Sequence, residues 1–166
     1  MPKKEQTRQE FYNCINDLIK NPEVLALGRI SQHSESISRL EHSLYVSYVG
    51  FILCRFLGLD QRAAARGGLL HDMHSWTRDE DFAFRARLLL MHPKMALENA
   101  SENFKLSNKE KDIIVKHMWP LTLAFPRYAE SYLISLADKL CAIAEMIQLY
   151  RWMNIGEKLL PAYGAI

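Results

Sequence analysis

The segment SRLEHSLYVSYVGFILCRFLG at residues 38–58 decides the fold of this 166-residue chain. Its apolar residues recur at intervals of three and four, which is the spacing of one helix face. Its last residue, Gly58, stands where a left-handed C-cap ends a helix. The segment therefore predicts a long, largely buried helix from about 37 to 57.

The same spacing continues through most of the chain and predicts an all-α fold. Asn21 before Pro22, Asp60 and Ser107 are suited to cap the helices that follow them. The predicted helices are 5–19, 22–30, 61–70, 92–104, 107–117 and 127–150. The polar stretch 75–84 predicts the longest internal loop, and 154–166 predicts a terminal helix fragment or a loose end. We find no repeat or second domain, so residues 1–166 are expected to form one domain.

Composition narrows the classes of partner and of compartment. The content of hydrophobic residues is 49% and the formal net charge is +2, which supports a globular domain but no nucleic-acid surface or membrane patch. No apolar signal core begins the sequence, which indicates a soluble, cytoplasmic protein. The three cysteines form no C-x-x-C pair, so buried reduced thiols are expected. Apolar helix faces at either terminus could form an oligomer such as a dimer, and burial within the monomer explains them equally well.

Six side chains that can bind metal ions lie on or next to the predicted helices. In chain order they are His42, His71, Asp72, His92, His117 and Asp138. Inward-facing imidazoles and carboxylates are costly to bury in a helical core unless they are paired, and shared metal ions can pair them. Six such groups are enough for two ions if one carboxylate bridges.

Each of these residues has a simpler explanation when it is taken alone. His42 could be a hydrogen-bonded core histidine, and Asp138 could form a salt bridge along a helix. His92 could cap a helix that begins at Pro93, and His117 could interact with the macrodipole at a helix C-terminus. Together, however, four of the six histidines fall in one ordered pattern with two aspartates. This joint pattern favours the metal-site interpretation.

The pattern H…HD…H…H…D resembles the HD-domain superfamily of metal-dependent phosphohydrolases. The resemblance covers about residues 37–147, and its segments SRLEHSLYV, GGLLHDM, MHPKMALENA, KHMWPLT and ISLADKL look like those of small bacterial HD proteins. The additional histidines, His92 and His117, resemble the two-metal subset, since the one-metal nucleotidases rely on H…HD…D only. The resemblance implies a compact, single-domain helical bundle.

The resemblance also implies how two ions are shared. The first would be held by His42, His71, Asp72 and Asp138, and the second by His92, His117 and a bridging Asp72. Two divalent ions about 3.5–4 Å apart can acidify a bridging water near neutral pH and neutralise phosphoryl oxygens. His71 and Asp72 are therefore expected at the catalytic centre. Nitrogen ligands without thiolate suit Fe, Mn, Zn, Co or Ni better than Ca or Mg, and members of this kind often use iron or manganese.

Three basic residues are candidates for contact with substrate. Arg39 lies three residues before His42, so the two share a helix face, and a guanidinium there could bind a phosphate through two hydrogen bonds. A solvent-facing arginine is an equal alternative. Lys94 and Lys139 resemble positions that are basic in many HD proteins, where they could contact substrate or balance the carboxylates.

Residues around His71 and Asp72, the HD dyad, suggest further roles. His74 or Asp79 could supply the proton for the leaving group, although HD patterns often place Lys or Asp shortly after the dyad. Trp76 and Trp119 could stack on a base or simply pack. His33 matches no ligand position and is expected on the surface.

Three different functions are consistent with the same six metal-binding residues. The leading hypothesis is a hydrolase that attacks a phosphomonoester or phosphoanhydride of a small metabolite, expected to be a nucleotide, with a metal-bound hydroxide. The first alternative is a diiron oxygenase of the HD type, which cleaves C–C or C–P bonds. The second is a non-catalytic HD module that binds a ligand.

Overall fold

The computed structural model describes residues 3–32, 37–75 and 82–147. Within these ranges it contains no β-strand and consists of seven α-helices and one short 3-10 helix, which confirms the predicted all-α fold. The α-helices are α1 (Lys3–Ile15), α2 (Pro22–Ala26), α3 (Arg39–Phe56), α4 (Gln61–Leu70), α5 (Phe82–Asn103), α6 (Asn108–Lys116) and α7 (Ala129–Met146), and the 3-10 helix is Leu27–Arg29. That residues 1–166 form one domain stays a prediction, and the predicted tail 154–166 lies outside the described residues.

Capping residues explain where the helices begin and end. Ser38 caps α3 in a capping box, in which its backbone N–H donates to Glu41 Oε2 over 2.8 Å. Gly58 has a φ of 68° just after α3, as the predicted left-handed C-cap requires. Asp60 accepts a hydrogen bond from Ala63 N and caps α4, and a capping box at Ser107 starts α6. These helix ends are therefore determined locally.

The start of α5 differs from the prediction. The prediction of a helix that begins at His92 is wrong, because α5 begins ten residues earlier at Phe82 and contains Pro93 in its interior. The run FAFRARLLLM at 82–91 is rich in residues with good helix propensity, so the helix is already formed where proline removes one backbone donor. Residues 82–84 of the predicted loop are therefore helical, and 76–81 lie outside the described residues.

The α3 and α4 helices form the central pair of the bundle. The α3 helix contacts α4 and α7, and both of these contact α6, while α5 packs on α6 and α1 packs on α4. Two apolar clusters flank α3, with Phe11, Ile15, Leu44 and Phe51 among the buried members of the first and Val46, Ala64, Ile113 and Ile134 among those of the second. The segment that predicted the fold thus supplies residues to both clusters.

The helices α3 and α4 approach each other closely at Gly68. A Cβ atom there would lie 2.9 Å from Ser47 Cα and 3.2 Å from Ser47 N, which are backbone atoms that cannot rotate away. Gly68→Ala is expected to destabilise the fold by about 1–3 kcal/mol, because overpacking outweighs the gain in helix propensity. Urea unfolding measures this loss.

The matched control for this substitution is Gly28→Ala. A Cβ atom at this position would meet Leu40 Cδ2 at 3.5 Å, an ordinary contact. This variant is expected to change the free energy of unfolding by no more than about 0.5 kcal/mol. Equal stability of the two variants would contradict the tight α3–α4 crossing.

Two further findings concern the cysteines and the apolar character of the described helices. Cys14, Cys54 and Cys141 are free and buried, which confirms the interpretation as reduced thiols. Among the described helices, none combines the length and the apolar character needed to cross a bilayer.

Candidate metal centre

Five helices bring the six predicted residues to one place in the core. His42 lies on α3, His92 on α5 and Asp138 on α7. The pair His71 and Asp72 directly follows α4, and the sixth residue, His117, directly follows α6. All five of the residues other than Asp138 are at most 7% exposed, and the Asp138 side chain is 13% exposed. Side chains far apart in sequence thus converge at a buried point.

One group of these side chains surrounds Asp138. His42 Nε2 lies 3.1 Å and His71 Nε2 3.5 Å from Asp138 Oδ1. Asp72 Oδ2 lies 3.6 Å from His71 Nε2. His42, His71 and Asp72 each offer a ligand atom within 4.8 Å of the others. This group could hold one metal ion.

A second group lies on the other side of Asp72. His92 Nε2 is 3.4 Å and His117 Nε2 is 3.6 Å from Asp72 Oδ1. The two imidazole nitrogens are only 2.8 Å apart, so they cannot both carry a proton that points at the other. The three residues again place their ligand atoms within 4.8 Å of one another. Asp72 is therefore common to both groups, with a different oxygen towards each.

Backbone carbonyls orient two of the imidazoles. His71 Nδ1 donates to Gly68 O over 2.7 Å, and His117 Nδ1 donates to Ile114 O over 2.8 Å. A carbonyl can only accept, so the proton of each neutral ring lies on Nδ1 and its Nε2 faces the centre as a free base. This is the tautomer that a metal ligand of this geometry requires.

Glu145 orients the imidazole of His42, and sequence reasoning missed this residue. Its Oε1 lies 2.7 Å from His42 Nδ1, and both side chains are fully buried. A carboxylate behind a histidine ligand fixes the ring and makes it more basic. The available signal was an acidic residue in an apolar stretch, seven residues after Asp138 and hence on the same face of α7.

Burial and neighbouring carboxylates move the histidine pKa values in opposite directions. Burial lowers the pKa of His42, but hydrogen bonds to Asp138 and Glu145 outweigh it and raise the pKa to about 10. Burial, assisted by the nearby His71, lowers the pKa of His117 to about 3. The carboxylates around His42 therefore favour positive charge at its imidazole, whereas the imidazole of His117 stays neutral at physiological pH.

Both aspartates of the centre are anionic. Burial opposes their ionisation, but the surrounding histidines hold the pKa of Asp72 and of Asp138 well below its usual range. Among the described residues, His71 Nε2 and Asp72 Oδ1 are buried and lack a hydrogen-bond partner. Buried polar atoms without a partner are costly. A cation between them would satisfy both, so these residues fit a metal site of nitrogen and oxygen ligands.

The predicted substrate contacts lie at different distances from this centre. Lys94 is exposed on α5. Lys139 Nζ donates to His117 O over 2.9 Å and to Ser135 O over 3.1 Å, so it holds α7 against the end of α6. Arg39 is buried and contacts Gln32 and the loop after the dyad.

Trp119 takes the packing role, the simpler of the two predicted for it. Trp119 is partly buried and packs edge-on against Tyr132, with ring centroids 5.1 Å apart. His33, Trp76 and Asp79 lie outside the described residues.

Comparison with known protein families identifies the family of this chain. The model of the HD domain matches residues 39–143, which extend from the start of α3 to near the end of α7 and contain all six residues of the centre. No curated protein and no solved structure matches the chain. The match covers well over half of the 166 residues, and the chain therefore belongs to the HD-domain family.

Proposed function

We propose that this chain is a metal-dependent phosphohydrolase that cleaves a phosphomonoester or phosphoanhydride of a small metabolite, with a nucleotide as the expected substrate. The observation that carries the proposal is the position of Asp72, whose Oδ2 faces His71 and whose Oδ1 faces His92 and His117. A carboxylate shared in this way suits two cations a few ångströms apart. Membership of the HD-domain family supports the same class of chemistry.

In this proposal the six residues divide as the resemblance to the HD-domain superfamily implies. His42, His71, Asp72 and Asp138 would hold one ion, and Asp72, His92 and His117 would hold the other. Two such ions would supply a water activated near neutral pH and positive charge for the phosphoryl oxygens. The nitrogen-rich ligand set favours iron or manganese, with zinc, cobalt and nickel as alternatives.

The side chains of this centre would hold and orient the metal ions and would not themselves attack the substrate. The imidazoles keep their Nε2 atoms free because Gly68 O and Ile114 O accept the Nδ1 protons of His71 and His117. Two dications exceed the charge of the two carboxylates between them, so the loaded centre would attract an anionic group. Burial of the cluster excludes bulk water and strengthens that attraction.

The partners follow from this chemistry and stay predictions. A small phosphorylated molecule is the expected ligand, without a nucleic-acid polymer or a membrane. Lys94 is the most accessible of the three basic residues proposed to contact it. Lys139 would act at shorter range beside Asp138, since its Nζ lies 3.6 Å from Asp138 Oδ2.

The proposed activity is tested with protein purified without oxygen and loaded with Mn²⁺ or Fe²⁺. We expect about two ions per chain by elemental analysis, and release of phosphate from at least one member of a panel of nucleotides and sugar phosphates. Removal of the metal with a chelator is the control and should abolish the release.

Two other outcomes would contradict the proposal. Uptake of oxygen that depends on both iron and an added substrate, with no release of phosphate, would favour the diiron oxygenase. Tight binding of a panel member by the loaded protein, with no turnover under either gas, would favour the non-catalytic module.

A further inference from the structure

Beside the centre, a buried arginine contacts two residues that are not among the proposed metal ligands. Arg39 is 6% exposed. Its Nε donates to Gln32 Oε1 over 2.9 Å, and its Nη1 donates to His74 O over 2.5 Å. The same Nη1 lies 3.2 Å from His74 Nδ1. The guanidinium therefore joins two residues that border Asp72 from different parts of the chain.

A guanidinium can only donate hydrogen bonds. Arg39 therefore determines which atoms of Gln32 and His74 act as acceptors and which as donors. Gln32 must turn its carbonyl oxygen towards Arg39, which leaves its NH₂ group to donate to Asp72 Oδ2 over 2.7 Å. His74 must accept at Nδ1, so the proton of its ring lies on Nε2. A single arginine thus directs the Gln32 donor to Asp72 and leaves the ring proton of His74 on Nε2.

The ring of His74 borders the second group of ligands. Its centroid lies 5.3 Å from that of His92, and its backbone N–H donates to Asp72 O over 2.7 Å, which keeps the ring close to the dyad. Among the described residues, the hydrogen-bond contact of the His74 side chain is at Nδ1, and His74 is only 6% exposed. The His74 ring therefore borders the place where the loaded centre would receive an anion.

We propose that His74 contacts the substrate by donating its Nε2–H to a phosphoryl oxygen, and that Arg39 is the positioning residue that holds His74 in this tautomer. This inference rests on the proposed function. It replaces a direct contact between Arg39 and phosphate with one through the histidine. It also gives Gln32 a role, which is to hold Asp72 Oδ2 and leave Asp72 Oδ1 towards His92 and His117.

The test uses inorganic phosphate as the probe and the full chain loaded with Mn²⁺. We expect His74→Leu to keep the metal content of the wild type but to bind phosphate about tenfold more weakly, the loss of one hydrogen bond to a charged group. His74→Gln should restore most of the affinity, because its amide can accept from Arg39 and donate from the other side. Isothermal titration calorimetry measures the binding, and elemental analysis measures the metal.

A double-mutant cycle tests the role of Arg39. Lysine presents no planar fork and cannot contact Gln32 and His74 in the same way, so Arg39→Lys should weaken phosphate binding. If Arg39 acts through His74, the double variant with His74→Leu should bind about as weakly as His74→Leu alone. The matched control is Arg29→Lys at an exposed arginine, which should bind as the wild type does.

Several results would overturn the inference. Wild-type affinity in His74→Leu would remove the contact, and loss of an ion in that variant would make His74 part of the metal site. Additive effects of the two substitutions would show that Arg39 acts on phosphate binding independently of His74. Failure of the proposed function is distinguishable, because it appears as a wild type that binds phosphate through His74 but hydrolyses no member of the panel.

Discussion

Asp72→Asn is expected to abolish the binding of both metal ions and to reduce phosphate release by roughly 1000-fold or more. The carboxylate lies between the two groups of histidines and presents one oxygen to each. An amide keeps the shape but removes the negative charge, and its NH₂ group would face either Gln32 or the histidines. Elemental analysis and the phosphate assay measure the two losses.

The matched control is Asp60→Asn, which makes the same chemical change at an exposed aspartate. Asp60 caps α4 by accepting from Ala63 N, and asparagine is an equally good N-cap. This variant should keep both ions and full activity. Circular dichroism tests whether Asp72→Asn is folded. Two retained ions in folded Asp72→Asn would contradict the bridging role.

Glu145→Ala is expected to weaken metal binding by between about 10- and 100-fold, although Glu145 is not among the proposed ligands. Its Oε1 lies 2.7 Å from His42 Nδ1 in a fully buried contact. Without this carboxylate the imidazole loses its orientation and much of the negative charge that favours a cation. Competition with a chelator of known affinity measures the change for Mn²⁺ or Zn²⁺.

A second variant at this position separates orientation from charge. Glu145→Gln can still accept the proton of His42 Nδ1, so it should lose less affinity than Glu145→Ala. Glu130→Gln is the control, because Glu130 is a buried carboxylate on the same helix that contacts Asp60 N and Lys109 instead of the centre. Equal metal affinity in Glu145→Ala and Glu130→Gln would contradict the orienting role.

Local signals accounted for most of the helix boundaries. The caps at Ser38, Asp60 and Ser107 form with neighbours three residues away, so the chain carries all the information that they need. The start of α5 was missed for the opposite reason. Proline favours a first turn locally, but the good helix formers before Pro93 continue the helix through it.

The ligand order could be read from the chain, but the residues around the ligands could not. Gln32 and Glu145 stand 40 and 103 residues from the side chains that they contact. No spacing rule relates residues so far apart. Glutamine in a polar loop and glutamate near the end of a helix are also common on protein surfaces. Arg39 was singled out, yet its direction could not be predicted, because both directions fit the same helical register.

The sequence by itself determined the all-α fold, most of the caps and the six residues of the candidate centre, because helical periodicity and residue type are local properties. Only the tertiary structure decided which oxygen of Asp72 faces which histidines, which atoms orient each imidazole, and where Arg39 points. These depend on how α3, α4, α5, α6 and α7 pack against one another. Packing sets distances between side chains to tenths of an ångström, and hydrogen-bond direction follows from those distances.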